Sequence, residues 1–279
     1  MFWFGDEFYD LYSSTELEKS EKIAEIEFLF EVVGGIKYKD YILGKRISDD
    51  KKELIISCIR ERTETDRPVQ QIAGKAFFAG ELFCVNENTL IPRPETELII
   101  KVLKDYFGKD EKFKMLDIGS GTGCISITAS KYFKNAYVLG IDNCQECVDA
   151  GLKNAKLLNC RNVNFLLSDV FSDINDEFDV IVSNPPYISY SDKSQVQPNV
   201  FRYEPHNALF AENNGYYFYE KIISQAHNYL CGKSILIFEI GINQENRIFE
   251  LLKENNFAQI RIIKDFNNIN RIISSKYSY

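Results

Sequence analysis

The tetrapeptide Asn184-Pro185-Pro186-Tyr187 directly follows an apolar run at 178–183. Its residue types could bind a planar group of a ligand. Such a run predicts a buried parallel strand, and open α/β sheets bind ligands beside the carboxyl ends of their strands. Prolines donate no backbone N–H and fix φ, so this turn is stiff and presents carbonyl oxygens. An asparagine oxygen, a proline carbonyl and an aromatic face could together hold the NH2 group of a carboxamide or a nucleobase. A rigid loop with a buried tyrosine is the alternative interpretation.

A glycine-rich loop is the second chemical motif. It consists of Gly119, Ser120, Gly121, Thr122 and Gly123. The loop follows a predicted strand at 114–118 and precedes a predicted helix at 124–133. Its glycines let the backbone turn sharply and approach a ligand at the helix N-terminus. The spacing G-x-G-x-G differs from the G-x-G-x-x-G of nicotinamide dehydrogenases, because Cys124 stands where those enzymes have a third glycine.

An acidic residue, Asp142, ends the next predicted strand, at 136–141. It lies roughly 20 residues beyond the glycine loop, where dinucleotide-binding folds place a carboxylate that binds a ribose diol. The glycine loop, Asp142 and residues 184–187 therefore follow three strands of one predicted sheet. We expect these three groups to border a single crevice.

Bulk composition indicates a soluble cytoplasmic enzyme. The 279 residues are 45% apolar, which suffices for a large core. No run approaches the roughly 18 apolar residues of a membrane helix, and residues 1–7 lack the positive charge of a signal peptide. Seven cysteines, an odd number, favour a reducing compartment over a disulfide framework. We expect no membrane association.

Charge and metal-ligating residues argue against two further classes of site. The net charge is −8, from 41 acidic and 33 basic residues without a dense basic cluster, so we expect no direct nucleic-acid partner. Cys144 and Cys147 form a C-x-x-C pair, but the chain has no second pair and only two histidines, His206 and His227. We therefore expect no metal site, and the position of the pair just after Asp142 predicts the start of a helix.

The chain divides near residue 75 into segments of different pattern. Residues 15–33 and 50–62 show helical periodicity, with a capping box at Thr15 and Glu18, and Leu54 is among the residues at helical spacing in the second helix. We predict a small helical domain at 1–74, a hairpin linker at 75–93 and a catalytic domain at 94–279.

Strands alternate with helices in the third segment. The predicted strands are 114–118, 136–141, 163–167, 178–183, 234–240, 258–264 and 270–274. This alternation predicts a doubly wound, mainly parallel α/β sheet of seven strands that ends in an antiparallel edge.

Five motifs, in this order, resemble the HemK/PrmC family of release factor glutamine methyltransferases over nearly the whole chain. They are PVQQIAG at 68–74, LIPRPETE at 90–97, DIGSGTG at 117–123, VSNPPYI at 182–188 and YEP at 203–205. The resemblance implies a Rossmann-like class I methyltransferase fold with S-adenosyl-L-methionine as the methyl donor. It also implies that the acceptor is the side-chain amide nitrogen of the glutamine in the Gly-Gly-Gln motif of peptide-chain release factors, a protein methylation in translation termination.

The resemblance also implies roles for individual residues. The acidic residue of the first motif is Asp117, the loop 119–123 would bind the methionine part of the donor, Asp142 its ribose, and Val170 would lie beside its adenine. Residues 184–187 would form the catalytic clamp, and Asn184 would also contact the donor. The helical domain would help to dock the release factor to an enzyme that we expect to be a monomer.

Two other functions stay open at this stage. The same clamp could serve a nucleic-acid amino-methyltransferase that acts on adenine N6 or guanine N2 of a flipped base. That function normally requires a basic surface, which the composition does not indicate. A non-catalytic binding module with the same fold is the other alternative, although the glycine loop, Asp142 and the clamp are all intact.

Overall fold

The computed structural model describes residues 7–278. The first six residues carry most of the argument against a signal peptide and begin the predicted helical domain. They lie outside the described residues, as does Tyr279. Within the described range, no helix is long and apolar enough to cross a membrane.

Helices and strands alternate through most of the described chain. The strands are β1 (Lys75–Phe78), β2 (Glu81–Cys84), β3 (Lys114–Ile118), β4 (Tyr137–Asp142), β5 (Val163–Leu167), β6 (Phe178–Ser183), β7 (Ile188–Ser189), β8 (Phe210–Ala211), β9 (Leu230–Glu239), β10 (Phe257–Lys264) and β11 (Asn270–Tyr277). The helices are α1 (Glu7–Asp10), α2 (Lys19–Leu29), α3 (Tyr38–Ile42), α4 (Asp49–Thr65), α5 (Val69–Ala73), α6 (Glu97–Tyr106), α7 (Cys124–Tyr132), α8 (Gln145–Leu157), α9 (Pro198–Tyr203), α10 (His206–Leu209), α11 (Glu212–Gly215), α12 (Tyr217–Ala226) and α13 (Glu245–Glu254).

Among residues 7–278, seven strands form the central sheet in the order β10-β11-β9-β6-β3-β4-β5. Strands β5, β4, β3, β6 and β9 run parallel to one another. Strand β11 pairs antiparallel with both β9 and β10. The predicted doubly wound, mainly parallel sheet with an antiparallel edge is therefore confirmed. The chain winds outward from β3 toward β4 on one side and toward β6 on the other, and open sheets bind ligands at such a point.

Successive residues of each strand contribute to cores on opposite faces of the sheet, because side chains alternate along a strand. Met115 packs in one core with apolar residues of α6, α7 and α8. Leu116 packs in the other core with residues of α12 and α13. Both faces are covered, which explains why these strands read as continuous apolar runs.

The described chain divides into two units. The first unit comprises the residues up to Ala76 together with Pro198–Tyr203, and the second comprises Phe77–Gln197 and Glu204–Tyr279. The sequence places α9 in the catalytic domain, whereas two hydrogen bonds attach its last residue to the first unit. The Tyr203 hydroxyl donates to the Thr65 carbonyl at 2.5 Å, and Gln71 Nε2 donates to the Tyr203 carbonyl at 2.8 Å.

The first unit packs its helices around an aromatic core. The rings of Phe8 and Phe30 meet edge to face at 4.9 Å between centroids. Arg62 of α4 is buried, and its Nε donates to Glu25 Oε1 of α2 at 3.0 Å. A buried arginine needs such a partner because an isolated charge is costly to remove from water.

The predicted start of the first long helix is wrong by four residues. Helix α2 begins at Lys19, and its capping box uses Glu18, whose backbone N–H donates to Glu21 Oε2 at 2.8 Å. The Thr15 hydroxyl instead donates to the Tyr12 carbonyl at 2.8 Å, because the chain forms a turn there. Local bonding of a threonine side chain to the backbone competes with its use as a helix cap.

The ends of the two long helices of the first unit agree better with the sequence. Helix α2 continues into a π-helical turn, Phe30–Gly34, and Gly35 terminates it at φ 73°. Helix α4 runs one residue before and three beyond the predicted range. Leu54, one of the residues whose spacing predicts this helix, lies in α4 with its side chain 54% exposed.

Candidate active site

The carboxyl ends of β3, β4 and β6 border a cavity of about 730 Å³, including its open mouth. Apolar side chains form much of its wall, namely Leu90, Ile118, Val170, Phe218 and Ile222. Of the described residues that line it, two are aspartates and none is a lysine or an arginine. The cavity therefore favours a ligand that is partly apolar and carries no net negative charge.

The glycine loop folds back onto the end of β4. The backbone N–H groups of Gly119 and Ser120 both donate to the Ile141 carbonyl at 2.9 Å. Gly119 and Gly121 have φ values of 73° and 54°, and a Cβ added to either would meet no protein atom within 4 Å. Since both residues line the cavity, a side chain there would occupy ligand space.

The third glycine of the loop has a different neighbour. A Cβ at Gly123 would lie 2.6 Å from the ring of Phe165 on β5. This glycine therefore lets α7 approach the sheet, and it does not line the cavity. Thr122 and Ser120 are buried beside it and also lie outside the cavity wall.

Asp142 is oriented by the loop that it faces. Its Oδ2 accepts from the backbone N–H of Gly121 at 2.9 Å, and its Oδ1 accepts from that of Cys144 at 3.1 Å. Burial raises the pKa of this carboxyl, and the backbone N–H groups oppose that rise. Cys144 precedes α8, so the predicted helix start at the C-x-x-C pair is confirmed.

Asp117, at the end of β3, is a fully buried carboxyl with one oxygen unused. Its Oδ2 accepts from the Ser126 hydroxyl at 2.6 Å and from the Ser126 N–H at 3.1 Å. Its Oδ1 has no hydrogen-bond partner within the described residues. Burial raises the pKa of Asp117 to about 7. An unpartnered buried oxygen indicates a place where a ligand or a water completes the bonding.

Val170 lines the cavity in an uncommon backbone conformation. Its φ is 57°, which is sterically strained for a β-branched residue. The Ser168 hydroxyl donates to the Val170 carbonyl at 3.0 Å and also accepts from the Asp173 N–H at 3.2 Å. These bonds hold the turn that places the valine side chain at the wall.

Asn184, at the end of β6, faces the cavity with its amide group fixed from behind. Its Nδ2 donates to the Thr96 hydroxyl at 3.2 Å, and that hydroxyl donates to Glu239 Oε2 at 2.6 Å. The amide oxygen of Asn184 is therefore the atom left to accept a hydrogen bond from a ligand. Pro185 and Pro186 also line the cavity.

Tyr187 is turned away from the cavity wall that its three predecessors line. Its ring packs against the core that includes Tyr219, and burial raises the pKa of its hydroxyl. Its carbonyl accepts from Gln244 Nε2 at 3.0 Å, and a Cβ at Gly215 would lie only 2.2 Å from that carbonyl. The contacts of Tyr187 therefore anchor the turn.

A buried carboxylate holds the segment that carries Thr96. Glu204 accepts from the Ile91 N–H at 3.3 Å and from Arg93 Nη2 at 2.5 Å. The Glu204 side chain is fully buried, whereas that of Arg93 is about one-third exposed. This pair connects the LIPRPETE and YEP motifs of the sequence.

The structure thus brings part of the predicted site together at one cavity. The predicted residues on its wall are Gly119, Gly121, Asp142, Val170, Asn184, Pro185 and Pro186. The others support that wall from behind: Ser120, Thr122, Gly123 and Tyr187. Sequence reasoning missed Glu239 and Gln244, for which no local motif gives a signal, and quoted Thr96 only as part of a motif.

Comparison with known proteins gives two kinds of sequence match. Residues 94–211 match the family model described as the methyltransferase small domain. The chain is 36% identical to the release factor glutamine methyltransferase of Flavobacterium psychrophilum, covering 91% of this chain and 92% of that protein. It is 32% identical to the Streptococcus pneumoniae protein of the same name, covering 94% and 96%. For the Fusobacterium nucleatum protein, also of that name, identity is 37% and coverage is 85% and 67%.

Solved structures share the fold at low sequence identity. The hMettl16 catalytic domain, in complex with an RNA hairpin of the MAT2A 3′UTR, superposes with a TM-score of 0.58 at 15% identity over 92% of this chain and 93% of that one. The Thermus thermophilus 16S rRNA N2 G1207 methyltransferase, in complex with AdoMet and guanosine, gives 0.52 at 16% identity over 73% and 50%. These likenesses show the class I methyltransferase fold.

Proposed function

The chain belongs to the release factor glutamine methyltransferase family, and we propose that it methylates the side-chain amide nitrogen of the glutamine in the Gly-Gly-Gln motif of peptide-chain release factors. One observation supports the proposal that the reaction takes place at this cavity. The amide of Asn184 presents its oxygen to the same cavity that is lined by Gly119, Gly121 and Asp142. Residues suited to bind the methyl donor and a residue suited to bind the methyl acceptor therefore line the same cavity.

The cavity residues fit S-adenosyl-L-methionine, the methyl donor of the family. When bound, this cofactor supplies a methyl group made reactive by a sulfonium centre. The open space beside Gly119 and Gly121 suits its methionine part, and the oriented carboxylate of Asp142 suits its ribose diol. The unpartnered Oδ1 of Asp117 offers an acceptor beneath the loop. Val170 would lie against the adenine.

The side-chain amide nitrogen of the target glutamine must be activated by the enzyme before it can accept a methyl group. An amide nitrogen is a poor nucleophile because its lone pair is delocalised into the carbonyl. We propose that the Asn184 side-chain oxygen and the Pro185 carbonyl accept its two N–H bonds. Stiffened by two prolines and anchored at Tyr187, this turn holds the nitrogen in line with the methyl group. Orientation of this kind lowers barriers by roughly 7–11 kcal/mol in favourable systems.

The same two oxygens stabilise the positive charge that grows on the target nitrogen. The nitrogen would gain the methyl group as the S–CH3 bond of the sulfonium breaks and its electron pair stays on sulfur, and the nitrogen would lose one proton, which passes to water. The clamp contains no His or Lys to act as a general base. Positioning and electrostatics are therefore the chain's own contribution to the reaction.

The first unit is proposed to bind the body of the release factor. It contains no part of the cavity wall described above. A remote recognition surface provides binding energy that one glutamine side chain lacks. We further propose a monomeric enzyme without a direct nucleic-acid partner, and its translational substrate indicates action in the cytoplasm.

The test is methylation of a purified release factor with labelled S-adenosyl-L-methionine. We expect one methyl group on the Gly-Gly-Gln peptide, located by mass spectrometry. The matched control is the same factor with that glutamine replaced by alanine, which should stay unlabelled. Equal labelling of both proteins, or labelling of tRNA or rRNA instead, would contradict the proposed function.

A further inference from the structure

Two buried side chains behind the clamp belong to no motif role described so far. Thr96 precedes α6, and Glu239 ends β9, so 143 residues separate them in sequence. Each is only 2% exposed. Their hydrogen bonds form a chain from the Glu239 carboxyl, through the Thr96 hydroxyl, to the Asn184 amide. Only Asn184 in this chain reaches the cavity wall.

The direction of these hydrogen bonds follows from the chemistry of each group. An ionised carboxylate only accepts hydrogen bonds, so the single proton of the Thr96 hydroxyl must point to Glu239. The hydroxyl can then only accept from Asn184. Because an asparagine amide has one donating and one accepting end, its NH2 group must face Thr96 and its oxygen must face the cavity.

We propose that Glu239, acting through Thr96, is the positioning residue that holds the Asn184 amide with its oxygen toward the target nitrogen. Without this chain, the amide could rotate and present its NH2 group to the NH2 group of the substrate. Two donors would then face each other, and the target would be neither aligned nor stabilised. The proposal rests on the proposed function, since it assigns a role within the same clamp.

Protonation of Glu239 would remove the fixed donor-to-acceptor direction of the hydrogen bonds that run from Asn184 through Thr96 to Glu239. A protonated carboxyl can donate to Thr96, which frees the threonine proton to point at Asn184. Burial, with a smaller contribution from the charge of Glu95, raises the pKa of Glu239 to about 7, although the hydrogen bond from Thr96 acts in the opposite direction. The charges of Arg271 and Arg93 oppose that rise. The amide orientation should therefore be enforced above about pH 7 and lost below it.

Two tyrosines also lie near Glu239, and both are neutral in this pH range. The Tyr219 hydroxyl donates to the backbone carbonyl of Glu239 at 2.8 Å, so it does not compete for the carboxyl. Tyr187 lies near the carboxyl, and burial raises the pKa of its hydroxyl above the ordinary value. The protonation state of the Glu239 carboxyl consequently sets the direction of the hydrogen bonds through Thr96 to Asn184.

The kinetic test compares Thr96→Val with Thr96→Ser. Valine has the shape of threonine without the hydroxyl, whereas serine keeps the hydroxyl. We expect Thr96→Val to lower kcat on release factor by about 10–100-fold, the size of effect that misplacement of a reacting group produces. KM for the factor and Kd for the donor should change by less than about threefold, and Thr96→Ser should restore at least half of the activity.

A matched control is Ser274→Ala, which removes a buried hydroxyl from β11 of the central sheet. Ser274 exchanges a hydrogen bond with Tyr106 at 3.1 Å, and neither residue lines the cavity. Its kcat should equal that of the wild type. Thermal unfolding of each variant identifies any loss of fold. A folded Thr96→Val enzyme with wild-type kcat, or a Thr96→Ser enzyme as slow as Thr96→Val, overturns the proposal.

The pH profile of kcat, at saturating donor, supplies a readout that a merely structural role would not change. The wild type should lose activity as the pH falls through about 7, and Glu239→Gln should lack this limb and be slower at pH 8. An identical pH limb in Glu239→Gln would mean that Glu239 does not set the orientation of the amide.

The final readout does not depend on catalysis. In protein labelled with 15N-asparagine, the Asn184 NH2 resonances, assigned by their loss in Asn184→Ala, should shift as the pH passes through about 7. They should be insensitive to pH in Glu239→Gln. If the wild type fails to methylate release factor but shows this shift, the proposed function fails and the chain of hydrogen bonds stands. If methylation occurs without the shift, only the positioning role fails.

Discussion

Hydrogen bonds from neighbouring protein groups fix the side chains that line the cavity. Asn184 is oriented by Thr96, and Asp142 by the N–H groups of Gly121 and Cys144. Such bonds remove the freedom of a side chain before the ligand arrives, and preorganised groups are the ones that lower reaction barriers most. At the scale of single residues, each functional side chain on the cavity wall therefore depends on a second group that fixes its orientation.

Asn184→Ala removes the acceptor that we assign to the target NH2 group. We expect kcat to fall by about 10²–10³, the cost of losing one preorganised group. Donor affinity, measured by calorimetry, should change far less, because the lost bond matters most as charge develops on the nitrogen. The loss should exceed that of Thr96→Val, which leaves the acceptor present. Unchanged turnover would show that the asparagine does not hold the target.

Gly121→Val should abolish binding of S-adenosyl-L-methionine while the protein stays folded. The glycine has φ 54° and open cavity space beside it, so a branched side chain would both strain the loop and fill ligand space. Gly80→Val is the matched control, since Gly80 has φ 79°, equally open space and no part in the cavity wall. Both variants should lose similar stability, about 1–3 kcal/mol. Wild-type donor affinity in Gly121→Val would refute the role of the loop.

At the scale of elements, the sequence predicts the centre of the sheet well because strands β3, β4, β6 and β9 are largely buried on both faces. Each strand predicted after residue 113 appears in the structure, and its predicted and observed ends differ by four residues at most. The predicted start of α2 is wrong because the Thr15 hydroxyl bonds to the Tyr12 carbonyl, and Glu18 forms the capping box instead. The contact of Thr96 with Glu239 could not be predicted, because it depends on the register of distant elements and leaves no local pattern.

Helix α8 and strands β4 and β5 pack closely because glycines surround one ring. A Cβ at Gly123, Gly140 or Gly151 would lie 2.6 Å from the ring of Phe165. Gly151→Ala should therefore destabilise the protein by about 1–3 kcal/mol through overpacking, although alanine normally favours a helix by nearly 1 kcal/mol.

A double-mutant cycle measured by urea unfolding tests this packing. In a Phe165→Ala background the ring is gone, so Gly151→Ala should be neutral or stabilising. The coupling energy between the two sites should reach about 1–3 kcal/mol. Equal destabilisation by Gly151→Ala in both backgrounds would show that the ring does not require the glycine.

At the scale of the whole molecule, the buried carboxyl of Asp117 makes stability depend on pH. Burial raises the pKa of this carboxyl from its ordinary value of 3.8 to about 7 in the folded protein. Between these two pH values the folded state binds the proton and the unfolded state does not. Stability from this group is therefore greatest at low pH and is lost as the pH rises toward about 7.

Asp117→Asn removes this dependence. Relative to the wild type, its free energy of unfolding should rise by about 2–4 kcal/mol between pH 5 and pH 8. Urea unfolding without donor measures both proteins across this range, so any constant effect of the substitution cancels. Asp110→Asn, at an exposed position, is the control and should show no such trend. A parallel pH dependence in Asp117→Asn and wild type would mean that Asp117 stays ionised when buried.

The division into two units bears on how a release factor is recognised. Truncation of the chain before Phe77 would remove the Thr65 and Gln71 partners of Tyr203, which belongs to the same unit, so a truncated chain would confound docking with folding. Substitutions in the full chain avoid this difficulty. Leu43 and Leu54 are 84% and 54% exposed on the first unit, and exposed apolar side chains are candidates for protein contact.

We predict that Leu43→Asp combined with Leu54→Asp raises KM for intact release factor about tenfold, as expected when interface anchors are lost. The kcat and the donor Kd should stay unchanged, because the cavity lies wholly in the second unit. Phe266→Asp, at a fully exposed apolar position of the second unit, is the control and should leave KM unchanged. A short glutamine peptide should be an equally poor substrate for all three enzymes, because it lacks the surface that the first unit binds. An unchanged KM for the intact factor, or the same rise for the peptide, would show that these leucines do not dock the substrate.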